Sequence, residues 1–217
     1  MVDADIRFIE KLLDDGIIQS PCLELGVGGN EFSSKELIIK NGIEYLGTDI
    51  VAGKNVDYVV DFEDSAQMKR CFQDKNEFGS ILVPNVLEHV FNPILLLDNV
   101  FSILRKGGTC IIITPIIWPL HNYPVDCWRI CPNFYEEYCK RRKYTIVKGY
   151  FSYLGYGNIE KHKTQHDGYA LPLPGKKGFN RIMSRFIHKV FNTYGRGMFF
   201  PSNIGIGAVL TKPPILK

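Results

Sequence analysis

Short apolar runs alternate with segments of helical period along this chain. That alternation is the pattern of parallel strands covered by helices on both faces. Residues 3–17 place Ile6, Ile9, Leu12, Leu13 and Ile17 on one helical face, which predicts an N-terminal helix packed near the sheet or lidding a ligand. Strands are expected at 22–25, 43–50, 56–61, 78–84, 109–114 and 144–150, with a last one at 204–211. Helices are expected at 31–40, 64–72, 94–104 and 132–142. Arg105-Lys106-Gly107-Gly108 is expected to cap the third of these. Residues 152–202 read as an insertion that begins as a long loop. Within it, Phe179, Ile182, Met183, Phe186, Ile187, Val190 and Phe191 give an amphipathic helix carrying Arg181, Arg185, His188 and Lys189. A packed or lidding helix, a homodimer contact and a membrane-surface helix are the three readings of it. No internal repeat or low-complexity stretch is present.

With 217 residues, 45% of them hydrophobic, residues 1–217 form a single domain with ample core. It divides into an N-terminal helix (1–19), a ligand-binding core (20–115), a substrate loop (116–132) and the insertion or lid (152–202). A net charge of +3 carries no signature of nucleic-acid binding. No apolar stretch reaches the ~18–20 residues that span a bilayer, so no stable membrane insertion is expected. The first residues carry acids and no apolar signal region. Six cysteines occur without C-x-x-C pairs, which fits a reducing, cytoplasmic location. Cys22, Cys71 and Cys110 read as buried thiols. Cys127 and Cys131 beside His121 lack zinc-ligand spacing, so no metal is expected.

Chemistry enters at residues 22–30, CLELGVGGN. An apolar strand, a turn holding Gly26, Gly28 and Gly29, and then a helix present backbone N–H groups to a ligand. A dinucleotide fingerprint would require glycine at position 31, where Glu31 stands. A mononucleotide P-loop would require a G-K-[ST] that is absent. The stretch resembles motif I, E/D-x-G-x-G-x-G, of the class I S-adenosylmethionine (SAM)-dependent methyltransferases, through Glu24, Gly26 and Gly28. Asn30 replaces the third glycine, and Asn tolerates positive φ best among the other residues. Asp49 follows Gly26 by 23 residues, the spacing of a ribose-binding carboxylate. Residues 85–90, NVLEHV, resemble the N/S-x-L-E-H-V segment of a large subgroup of the same family, and the matches run in order over residues 20–115.

The resemblance implies an α/β, Rossmann-like class I methyltransferase fold, a seven-stranded, mostly parallel sheet with helices on both faces. Its last strand is antiparallel and lies between strands five and six. The implied cofactor is SAM, with S-adenosylhomocysteine (SAH) as product. Glu24, Gly26, Gly28, Gly29 and Asn30 would form the cofactor turn, with Asp49 and Ile50 at the ribose. Asp61 and Phe62 would meet the adenine, and Asn85, Val86 and His89 would line the site after strand four. Glu88 is read as bonding backbone or the cofactor's surroundings.

Residues 115–132 fall on the carboxyl edge of the sheet, where such folds hold ligands. The string H-N-Y-P-x-D-x-W-R resembles a segment of methyltransferase-like proteins associated with surface-polysaccharide pathways. His121 is the candidate base, Asp126 its orienter or an alternative base, and His89 the rival base. Tyr123 and Trp128 suit stacking on a sugar or ring, and Arg129 suits clamping an anion. Alternatively, Trp128 and Arg129 brace the loop on the helix at Pro132. The expected activity is methyl transfer to a hydroxyl or amine of a small polar acceptor, such as a sugar or surface-glycan precursor. The alternatives are another small metabolite or antibiotic precursor, or a non-catalytic SAM-binding scaffold. RNA methylation is disfavoured, since no N/D-P-P-[FYW] follows strand four.

Overall fold

One sheet organises the chain. In the computed structural model, residues 3–28, 33–72, 78–121, 124–155, 159–161 and 203–213 are described. The strands are β1 (Cys22–Leu25), β2 (Tyr45–Asp49), β3 (Tyr58–Val59), β4 (Phe78–Pro84), β5 (Leu104–Pro115), β6 (Thr145–Gly155), β7 (Ile159–Lys161) and β8 (Asn203–Thr211). Their order is β3-β2-β1-β4-β5-β8-β6-β7. Strands β1 to β5 pair in parallel, and β8 runs antiparallel between β5 and β6. The seven expected strands are therefore present in the expected order. β7 adds a short edge strand antiparallel to β6.

Alternate side chains of each strand enter two cores. Leu23, Ile81, Val83, Cys110, Ile112, Ala208 and Leu210 face α3 (Ser65–Phe72), α4 (Pro93–Ile103) and α5 (Pro132–Arg142). Cys22, Leu82, Ile111, Ile113 and Val209 face α1 (Asp3–Asp14) and α2 (Lys35–Lys40). Being covered on both sides is why the strands read as unbroken apolar runs. α4 is capped by Asn92, whose side chain accepts from Leu95 N, and Pro93 opens the helix because it has no N–H to leave without an intrahelical acceptor.

Four expectations change. α1 buries Ala4, Asp5, Phe8, Ile9 and Leu12, so its inward face is rotated from the one read from Ile6, which is exposed. The Gly107-Gly108 pair is not a helix cap. α4 passes directly into β5, and Gly107 (φ +73) lies where the β4–β5 register shifts, its N–H donating to Lys212 O. Residues 152–155 continue β6, and 159–161 form β7, where a loop was expected. Cys71 is half-buried, and all six cysteines are free thiols. The amphipathic segment 179–191 lies outside the described residues.

α1 is seated through one close approach. The Phe8 ring lies over Gly207 of β8, where a Cβ would come within 2.6 Å of Cε1. Gly207→Ala is expected to destabilise the protein by about 1–3 kcal/mol in urea unfolding, through overpacking. Adding Phe8→Leu should recover part of that loss; purely additive costs would refute the contact.

Candidate active site

Parallel strands leave their carboxyl ends on one edge, and the chain reverses direction across the sheet between β1 and β4. Ligands of open α/β sheets bind at such a crevice. The residues after β1, β2, β3, β4 and β5 all gather there.

The turn after β1 is held from both sides. Gly26 (φ +77) and Val27 donate to Thr48 O of β2 at 2.8 and 3.2 Å. Gly28 N donates to Asp49 Oδ2 at 2.7 Å. A Cβ on Gly28 would lie 2.6 Å from Asp49 Cγ, so only glycine permits this approach. Asp49 Oδ1 accepts from Val51 N at 3.1 Å. Each carboxylate oxygen has a second lone pair, so Asp49 can still accept two hydroxyls. Ile50 is exposed beside it.

Glu24 plays a supporting part. It is 1% exposed, and its carboxylate accepts from Ser34 N (2.9 Å), Ser34 Oγ (3.1 Å) and Tyr45 OH (2.8 Å). Burial pushes its pKa up to about 7, against the lowering effect of those donors. Its oxygens face the protein and shape the turn rather than meet a ligand.

At the end of β3, Asp61 Oδ1 accepts from Glu63 N at 2.7 Å. Phe62 is corrected: its ring is buried in the core against Phe72, with centroids 6.1 Å apart. It is not free to lie on an adenine, because β3 is only two residues long and the chain turns inward directly after it. Gly29, Asn30 and Tyr123 lie outside the described residues.

The segment after β4 is tied to α1. Asn85 adopts φ 52, and its Nδ2 donates to Asp5 Oδ2 at 3.0 Å. Val86 reaches to 2.8 Å from where a Gly26 Cβ would stand, closing the floor of the turn. Glu88 is 1% exposed, and neither carboxylate oxygen has a hydrogen-bond partner among the described residues. Burial pushes its pKa up to about 8; its own backbone N–H and Arg129 oppose this, and Asp126 and Asp5 add to it. His89 Nδ1 lies 2.5 Å from Val125 O, and its Nε2 lies 3.8 Å from Glu88 Oε1. Burial lowers the His89 pKa, partly offset by the Val125 carbonyl.

The loop after β5 meets that segment. The His121 and His89 rings stand edge-on, 4.8 Å apart. His121 Nδ1 lies 3.1 Å from Asp126 Oδ2 and 3.2 Å from Pro119 O, so the two side chains are in contact. Asp126 also accepts from His121 N at 2.9 Å. The Arg129 guanidinium grips both its oxygens, one at 2.7 Å, and holds the carboxyl well below the usual range. Arg129 also donates to the carbonyls of Trp118 and Trp128. The expected anion clamp is therefore corrected: the guanidinium fork is already filled by Asp126. Trp128 is 44% exposed and donates through Nε1 to Val90 O at 2.9 Å. The loop is thus braced on the segment after β4, not on α5. Cys127 N and Trp128 N donate to Glu88 O.

The pattern missed Asp5, and Glu88, expected to bond backbone or the cofactor's surroundings, has no side-chain hydrogen-bond partner among the described residues. Asp5 was visible as an acid within the buried stripe of α1, at helical spacing from Phe8, Ile9 and Leu12. The isolation of the Glu88 carboxylate had no sequence signal, since it depends on what surrounds it in space.

No protein-family model matches the chain, and no curated protein matches it. Solved structures do. A SAM-dependent methyltransferase from Archaeoglobus fulgidus superposes with a TM-score of 0.58 at 14% identity, covering 97% of this chain and 95% of that one. The 1,6-didemethyltoxoflavin-N1-methyltransferase of Burkholderia thailandensis, with bound SAH, gives 0.57 at 9% identity over 97% of this chain and 79% of its own. The [4+2]-cyclase SpnF gives 0.53 at 12% identity over 95% and 80%. The chain has the fold of the class I SAM-dependent methyltransferases. Among the described residues, no helix is long and apolar enough to cross a membrane.

Glu24 makes stability pH-dependent. Its pKa is raised from 4.5 to about 7, so between those values the folded protein holds a proton that the unfolded chain has lost. Its contribution is therefore greatest below about pH 4.5 and falls as pH rises to about 7, by about 3 kcal/mol in all. Glu24→Gln is expected to remove this slope. Unfolding free energies of both proteins from pH 4.5 to 8 check it, and parallel curves would refute it.

Proposed function

We propose that this chain transfers the methyl group of SAM to a hydroxyl or amine of a small polar acceptor. The observation that carries the reading is the turn after β1 packed on Asp49 at the carboxyl edge of this fold, with Asp61 further along the same edge. Asp49 would take the ribose hydroxyls and Asp61 the adenine amino group. Asn85 and Val86 would lie beneath the sulfonium side of the cofactor. The acceptor enters from the β5 side, where Trp128 offers an exposed ring to a sugar or apolar face.

Transfer is a direct displacement. The acceptor oxygen or nitrogen forms a bond to the methyl carbon as the carbon–sulfur bond breaks, and SAH leaves. Most of the rate would come from holding the two reactants in line. The acceptor proton passes to His121, whose Nδ1 is engaged by Asp126 so that Nε2 is free. A sugar or surface-glycan precursor is the first acceptor to test.

A second reading follows from the likeness to SpnF, whose name is that of a cyclase: the chain binds SAM without transferring its methyl group.

Calorimetric titration is the test. SAM and SAH are expected to bind at micromolar concentration, and NAD is not. Asp49→Ala should weaken SAH at least tenfold, about 1.4 kcal/mol. Tight NAD binding, or an unaffected Asp49→Ala, would overturn the cofactor assignment. With a turned-over acceptor in hand, His121→Ala is expected to lower kcat by about 10²–10⁴-fold while SAH binding stays unchanged. Equal loss of both would make His121 structural instead.

A further inference from the structure

We propose that Glu88, His89 and His121 bind one first-row divalent cation on the acceptor side of the site. One ligand-type atom from each lies within 4.8 Å of the other two. Two of the residues follow β4 and the third follows β5, so the fold itself brings them together.

The second observation is the state of Glu88. Its side chain is buried to 1% exposure, and among the described residues neither oxygen has a hydrogen-bond partner. Buried polar groups are nearly always satisfied, and an isolated one costs free energy. Asp126, in the same neighbourhood, has its oxygens filled by Arg129 and His121. Among the described residues of this neighbourhood the Glu88 carboxylate is thus left open, and its Oε1 lies 3.8 Å from His89 Nε2.

The third is how the imidazoles are backed. His89 Nδ1 points at the Val125 carbonyl, which fixes the proton there and leaves Nε2, turned toward Glu88, as the electron-pair donor. His121 Nδ1 is engaged by Asp126 and the Pro119 carbonyl, leaving its Nε2. Metal-ligating histidines are held in this way, the second ring nitrogen donating to a carbonyl or carboxylate. Arg129 in turn fixes Asp126. Ligands bind such ions at about 2.0–2.2 Å, so modest side-chain rotations would draw the three together.

Two nitrogens and one carboxylate suit Mn, Fe, Co or Zn better than Mg or Ca, which prefer oxygen donors. Three protein ligands leave coordination positions open. The following role, unlike the binding itself, rests on the methyltransferase reading. An acceptor hydroxyl in an open position would have its pKa lowered and lose its proton to solvent, ready for methylation. His121 would then serve as ligand rather than base, since one nitrogen cannot do both.

The test uses Mn²⁺ alone, because the exposed thiols of Cys127 and Cys131 would compete for softer ions. Mn²⁺ titrated into the full chain, followed by electron paramagnetic resonance, is expected to show one saturable site. His121→Ala and Glu88→Gln should each weaken it at least tenfold, and Cys127→Ser/Cys131→Ser should not. Circular dichroism checks folding. His121 is partly exposed, so His121→Ala carries the test if Glu88→Gln fails to fold. Absence of saturable binding, or binding unchanged in His121→Ala, would overturn the proposal. SAH titrated into the same samples separates the two readings. Mn²⁺ binding without SAH binding upholds the ion site and overturns the methyltransferase reading; SAH binding without Mn²⁺ does the reverse.

Discussion

Burying a carboxylate at the end of a central strand is costly unless donors meet it, and Glu24 is met by three. The consequence is architectural. Ser34, just before α2, is held onto β1 by this carboxylate. Tyr45 ties the same carboxylate to β2, which carries Asp49 at its end. Asp49 can then receive Gly28 N, and the Thr48 carbonyl can receive Gly26 N and Val27 N. The backbone turn, the Asp49 carboxylate and the start of α2 are all placed by this one buried acid.

The other half of the edge is organised by a different hub. Asp126 gathers His121 and Arg129, and Arg129 gathers the Trp118 and Trp128 carbonyls. The loop after β5 is therefore rigidified from within by charge-assisted bonds, which are stronger than neutral ones. Glu88 sits between the two halves, its oxygens unmet among the described residues. The fold is shared by methyltransferases and by a protein named as a cyclase, and one fold can host different chemistries through such local arrangements.

How much was legible in the sequence followed the range of the interactions. β4 and α5 have the boundaries expected, because an unbroken apolar run and a Pro-initiated helix are local signals. Gly26, Gly28 and Asp49 were legible because one short motif and one spacing place them. His121 and Asp126, five residues apart, are within reach of each other along the chain and do meet. Phe62 was misread because β3 has too few residues to show which side faces inward. Arg129 was misread because an arginine three residues from an aspartate can point outward or fold back, and only the loop geometry decides. Asp5 and Asn85, 80 residues apart, meet only because α1 docks across β8 and brings its acidic position to the end of β4.

Three bonds sew the segments after β4 and β5 together: Val125 O to the His89 ring, Cys127 N to Glu88 O, and Trp128 Nε1 to Val90 O. In engineering terms, these non-contiguous stretches form one cassette. A chimera that imports only the later loop from a relative would strand carbonyls at Glu88 and Val90. Divergence at this edge of the sheet would then proceed by paired change in both stretches, not by drift of one loop.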